Sequence, residues 1–324
     1  MILLDYHNAV IEETLRQPII GLEPIALDSK IVDFDGVSYR ISTTPQTKSV
    51  ITFSLLMQCF KELVQLGAKE MLQKEYGSYY QTQIEQGYDF SLQFDLQKLP
   101  EDKEEREALV KKLSLIKRDL LAIPFEKAFE QQAEFEKEEN KNPPIITTTP
   151  TTKSAELMQI HYRDLEAIYI QAQNDRVTVI FSTLFKEETD RIFGKVFLQE
   201  FVDARRRPAL QNAPQVLYST KEPPLEIRNL PELQKAEDRE DLGYVTFVLF
   251  PRHFVKGEVR DKTISQIQLF RDYLHYHIKC SKAYMHSRMR ARVQEFLKVL
   301  NRAKPDLPSV EKKTITGKTM MRGA

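Results

Sequence analysis

Asn140–Glu156 reads NKNPPIITTTPTTKSAE, and this stretch decides how the rest of the chain is parsed. Pro143, Pro144 and Pro150 lack a backbone donor and disfavour helix in the residue before each. Thr147, Thr148, Thr149, Thr151 and Thr152 make the rest polar and β-branched. The stretch is expected to be an extended linker between two compact units. A length of 324 residues independently favours two domains.

Reading toward the N-terminus, Val32 and Phe34 lead into the turn signal Asp35-Gly36, and Val37, Tyr39 and Ile41 then alternate with polar residues, as in a hairpin. Val50–Leu56 reads as a strand, and Gln58–Tyr76 carries helical spacing through Phe60, Leu63, Val64, Met71 and Leu72. Tyr88–Leu96 alternates again. Pro100, followed by Glu101, Asp102, Glu104 and Glu105, marks a helix start, with acids at the positive end of the helix dipole. That helix is expected to reach about Glu139, with a kink or break at Pro124.

Reading toward the C-terminus, the order recurs. Met158–Tyr162 and Ala167–Ile170 read as strands, and Asp175–Phe185 is apolar enough for burial on both faces. Glu187–Arg207 is helical. Gln215–Ser219 and Gly243–Phe250 are strands on either side of a polar, proline-containing insertion, Lys221–Asp241, expected at the surface. Both halves thus run strands, helix, strands, long helix, which predicts two similar α/β domains. The expected segments are 1–139, the linker 140–156, a second domain 157–257, a long helix 258–304 and a tail 305–324.

Asp261–Ala303 contains neither Gly nor Pro, and Pro305 closes it. A helix of that length, at about 1.5 Å per residue, spans roughly 65 Å, more than the width of one such domain. Its apolar stripe is either a core face of its own domain or, as the length favours for at least the distal half, a surface for a partner chain, for which Leu274, Ile278, Met289, Phe296 and Leu300 are the candidates. Lys279, Lys282, Arg288, Arg290, Arg292, Lys298, Arg302 and Lys304 make it basic, opposed in that stretch only by Glu295. Such a strip is either a solvated face or a surface for an acidic partner.

Composition excludes little by itself. The 47 basic and 47 acidic residues cancel, so net charge names no partner. No run approaches the roughly 18 apolar residues of a membrane span, and Met1–Asp5 has no secretory-signal character. Cys59 and Cys280 are expected to be buried thiols in a reducing compartment. The ten glycines form no dinucleotide fingerprint. Gly317-Lys318-Thr319 lacks the earlier glycine of a phosphate loop, because Lys312 stands there. No His-Glu-x-x-His, paired-cysteine zinc motif or nucleophile elbow is present. The reading is a non-enzyme without cofactor or metal. A nucleic-acid-binding module using the basic helix is the alternative; net neutrality and the apolar stripe beneath the cations argue against it.

Several stretches closely resemble the 34-kDa-class subunit family of the actin-related protein 2/3 complex. They are Phe34–Ile41 (FDGVSYRI), Asp175–Ser182 (DRVTVIFS), Gly194–Phe201 (GKVFLQEF), Gly243–His253 (GYVTFVLFPRH), Arg271–Tyr284 (RDYLHYHIKCSKAY), Phe296–Arg302 (FLKVLNR) and Lys313–Thr319 (KTITGKT). The 140–156 linker and the Lys221–Asp241 insertion depart from the family pattern. The resemblance implies an α+β fold of two similar α/β domains, each an antiparallel sheet flanked by helices, with a long C-terminal helix. It implies a cytoplasmic scaffold of the actin cytoskeleton that pairs with the 20-kDa-class subunit (subunit 4), holds the two actin-related subunits, and contacts the mother actin filament from which a branch grows. Combining that role with charge, filament contact is expected at Arg290, Arg292, Lys298, Arg302, Lys304 and Lys318. No nucleic acid and no membrane insertion are expected.

Overall fold

The computed structural model describes residues 4–44, 47–141, 153–204, 206–220, 222–234 and 241–303. Most of the 140–156 linker therefore lies outside the described residues, as do Lys304 and Lys318. The described elements are mixed α+β: two antiparallel sheets flanked by helices, and one long C-terminal helix.

The first sheet is a meander, β1 (Asp28–Val32), β2 (Ser38–Thr43), β3 (Val50–Leu56) and β4 (Phe90–Asp95), in that spatial order. The register places Ile41, Phe53 and Leu92 side by side, with Tyr39, Leu55 and Phe90 as the next row on the same face. All six are buried. The other face carries Arg40, Ser42, Thr52 and Gln93, and its one buried polar pair, Ser54 and Ser91, closes a hydrogen bond of 2.9 Å. Polar residues on alternate positions thus leave one face for the core. Before this sheet lies α1 (Ala9–Leu15), whose first turn is capped by Asn8 Oδ1, accepting from Val10 and Ile11 N–H at 3.1 and 3.2 Å. The sequence reading missed this helix.

Between β3 and β4 the expected single helix is two, α2 (Phe60–Gln65) and α3 (Ala68–Tyr76). Gly67 separates them at φ +108°, a conformation other residues resist. After β4 come α4 (Lys103–Ser114) and α5 (Ile116–Lys141). The break in this pair falls at Leu115, and of the kink or break expected at Pro124 the break does not occur, since α5 continues through that residue.

The second half repeats the scheme with one addition. Strands β5 (Met158–Arg163), β6 (Glu166–Ala172) and β7 (Val177–Leu184) form a meander, followed by α6 (Glu188–Ala204). The chain then makes β8 (Gln215–Thr220), the four-residue helix α7 (Pro231–Gln234) and β9 (Leu242–Leu249). The order is β5-β6-β7-β9-β8, so β9 takes the place beside β7 that β4 takes beside β3, and β8 is an extra edge strand. A long helix follows in both halves; here it is α8 (Glu258–Arg302).

The second sheet is covered on both faces, and β9 is buried along its whole length. On one face Phe181, Phe247 and Phe270 of α8 form a ring cluster with centroids 4.8–6.2 Å apart. On the other, Tyr169, Ile180 and Tyr244 pack with Ile227 and Leu233. Those two come from the Lys221–Asp241 insertion, which was expected to be surface; Ile227 is fully buried. Its apolar residues are too few and irregular to show a periodicity, yet they close a sheet face.

Helix α5 ties the first half to the second. Phe129 stacks on Phe254 at 4.3 Å, Gln132 Nε2 donates to the Asn174 carbonyl at 3.1 Å, and Arg260 reaches Glu126 at 2.8 Å. Residues Met1–Tyr276 form one compact unit and residues from His277 onward a second.

Candidate partner-binding surface

Helix α8 is one uninterrupted run of 45 residues, about 68 Å long at about 1.5 Å per residue. Within the first compact unit its inner positions are core: Ile264, Ile267, Phe270 and Leu274 are all buried. From Lys279 to Ala303 every residue is exposed except Lys282, which is partly so. A polar solvated helix would accommodate that exposure without cost. This segment is not polar: Tyr284, Met285, Met289, Val293, Phe296 and Leu300 are each about half exposed or more, Met289 at 62 % and Phe296 at 63 %.

At about 3.6 residues per turn, Met285, Met289, Phe296 and Leu300 fall on the same arc as Ile267, Leu274 and Ile278. The stripe is buried at Ile267, Leu274 and Ile278 and exposed from Met285 onward. Around it, Lys298 lies opposite the stripe, Arg288, Arg290 and Arg302 flank it, and Arg292 stands on its edge. Local pairs steady some of these cations: Arg292 Nη1 reaches Glu295 at 3.0 Å, and Arg288 Nη1 donates to Tyr284 Oη at 2.8 Å with its guanidinium over the ring. Lys298 and Arg302 are simply exposed.

Two expected partner contacts need correcting. Leu274 is 0 % exposed and Ile278 2 %, so neither offers surface to another chain. Their periodicity was read correctly as apolar stripe but placed on the wrong side of the burial boundary. Met289, Phe296 and Leu300 remain accessible. Cys280 is also exposed, unlike Cys59, whose thiol burial pushes up to about 12.

Among the described residues there is no group of three or more His, Cys, Asp or Glu placed to hold a metal ion, and no helix is long and apolar enough to cross a membrane. In the interior, Asp33, Asp35, Lys117, Glu166, Arg271 and Asp272 meet in a junction of ion pairs.

The chain matches a family model described as the Arp2/3 complex 34 kD subunit, p34-Arc, over residues 53–307. The chain belongs to the p34-Arc family. Two relatives of this family member extend the likeness to nearly the full chain. The actin-related protein 2/3 complex subunit 2 of Schizosaccharomyces pombe is 52% identical over 325 residues, covering 99% of this chain and 100% of the relative. The protein of the same name from Dictyostelium discoideum is 38% identical over 318 residues, covering 98% of each. The resemblance carried by Arg271–Tyr284 and the other stretches is thereby confirmed.

Proposed function

We propose that this p34-Arc family chain is a non-catalytic scaffold of the Arp2/3 complex, acting in the cytoplasmic actin cytoskeleton. The distal half of α8 docks along the 20-kDa-class subunit (subunit 4), the pair holds the two actin-related subunits, and the basic flank of the helix faces the mother filament. The observation that carries this reading is the bare apolar stripe from Met285 to Leu300. A large apolar side chain gains about 1.5–3 kcal/mol on full burial, so a row of them is a strong incentive for a permanent interface, the class that is large and hydrophobic. An isolated helical segment is marginal in water, and a partner along its length also removes that weakness.

Met289, Phe296 and Leu300 are the proposed anchors, and Arg290, Arg292, Lys298 and Arg302 the proposed filament contacts, with Lys304 and Lys318 beyond the described residues. The proposed division is two domains, 1–139 and 157–257, joined by the 140–156 linker and followed by the helix 258–304 and the tail 305–324; each proposed domain carries one of the two sheets. Co-expression with the other subunits tests the scaffold role. Phe296→Asp is expected to leave the chain folded but outside the assembled complex. Stoichiometric recovery of that variant in the complex would refute the docking face.

A further inference from the structure

The interior charge junction has an unbalanced count. Within Met1–Tyr276 the β1–β2 turn contributes Asp33 and Asp35, α5 contributes Lys117, the β5–β6 hairpin contributes Arg163 and Glu166, and α8 contributes Arg271 and Asp272. Lys117 Nζ lies 2.7 Å from Asp33 and 2.5 Å from Asp35. Arg271 lies 2.9 Å from Glu166 and 3.4 Å from Asp272; Arg163 lies 3.5 Å from Glu166 and 4.0 Å from Asp35. Four carboxylates therefore share three cations, leaving one surplus negative charge. All but Arg163 have side chains less than a quarter exposed, so water screens that charge poorly.

The carboxylates are not equally well held. Asp33 accepts the N–H groups of Asp35 and Val37 at 3.0 and 2.9 Å besides Lys117. Glu166 has two arginines and the Leu184 N–H at 2.9 Å. Asp272 has only the long contact to its neighbour Arg271. The phenols near the junction, Tyr39 and Tyr162, have their ionisation pushed up, by burial first and then by these carboxylates, so they stay neutral and add no further negative charge. The cleft beside Asp272 is also lined by Asp5, His7 and Arg118, and Arg118 is engaged with Asp119 and Asp261.

We propose that this junction is a proton-operated latch: it takes up one proton, at Asp272, and the neutralised cluster then holds the β1–β2 hairpin, α5 and α8 together more tightly. The direction of titration agrees. Burial, then Asp35, raises the Asp272 carboxyl from 3.8 to about 6, with Lys117 and Arg271 pulling only partly the other way. The folded junction thus holds the proton better than the opened chain does. Its contribution to stability is complete at the acidic end and is lost as pH rises through about 6.

Hydrogen exchange of the assembled complex, corrected for intrinsic amide rates, tests this. Local opening of the segments 28–43 and 116–124 is expected to increase about tenfold between about pH 5 and about pH 7.5, the change that this shift implies. Asp272→Asn, a neutral isostere, should keep the junction closed at both values and lose that dependence. Arg163→Gln removes a cation from the same cluster and should move the transition to higher pH. Wild-type opening that does not vary with pH, or an Asp272→Asn complex with the wild-type dependence, overturns the latch. If Asp272→Asn fails to assemble, the Arg163→Gln transition decides: an upward shift supports the latch, and no shift or a downward one overturns it.

Discussion

The two halves of α8 are written in the same amino-acid vocabulary and meet opposite fates. In the proximal half, Ile264, Ile267, Phe270 and Leu274 are buried, the Phe270 ring lying against Phe181 and Phe247 of the second sheet. In the distal half, Met285, Met289, Phe296 and Leu300 continue the same stripe with about half or more of their surface in water. What differs is the surroundings. The proximal half also carries specific polar locks, such as Arg118 Nε donating to Ser265 Oγ at 3.1 Å and Gln268 Nε2 donating to the Arg118 carbonyl at 3.1 Å. The distal half carries contacts within its own helix, such as Arg292 with Glu295. Continuous periodicity therefore announces a buried face, and only the surroundings tell whether the covering is the chain's own or another's.

The largest break in that comparison comes from truncating one residue in each half. Leu274→Ala should destabilise the chain by about 2–5 kcal/mol, because it opens a cavity in a close-packed core; denaturant unfolding of the full chain measures this. Phe296→Asp should change that stability by no more than about 0.5 kcal/mol, as exposed substitutions do, while abolishing incorporation into the complex on size exclusion. Equal stability losses for the two variants would erase the distinction between the halves.

A smaller effect separates the stripe from its basic flank. Lys298→Glu with Arg302→Glu should leave assembly intact and weaken filament-side binding and branching, more at low salt than at high, since exposed charges are screened within about 10 Å at 0.1 M ionic strength. Unchanged co-sedimentation of the double variant with actin filaments would remove the filament role from these residues. The smallest expected signal is chemical: in the folded free chain a thiol reagent should modify exposed Cys280 quickly and buried Cys59 only on unfolding.

Much of this was legible in the residues, and the failures have identifiable causes. The hairpin at Asp35-Gly36, the two-sided burial of β7 from Val177 to Thr183 and the gapless α8 follow from turn chemistry, two-sided apolarity and the absence of breakers. Gly67 was passed over because a glycine inside a helical pattern costs only about 1 kcal/mol relative to alanine, too little to announce the left-handed turn it makes. Pro124 does not break α5, in which the neighbouring Phe125 and Phe129 are fully buried. Ile227 closes a sheet face through tertiary contact from an irregular segment, which carries no period to detect. Leu274 and Ile278 were placed in an interface because a stripe does not say where self-burial ends. The proposed filament contacts were legible only as charge, and Lys298 and Arg302 are exposed.

Methionine oxidation tests the central claim most directly, because the chain carries its own controls. Met285 and Met289 are 49% and 62% exposed on the distal stripe, whereas Met57 and Met158 are 3% and 7% exposed inside the first compact unit. Hydroxyl-radical footprinting read by mass spectrometry should find the first pair oxidised readily in the free chain and strongly protected in the assembled complex, with the second pair slow in both. Equal oxidation of Met285 and Met289 in the free and assembled states would contradict the account, because the distal stripe would then face solvent in the complex as well.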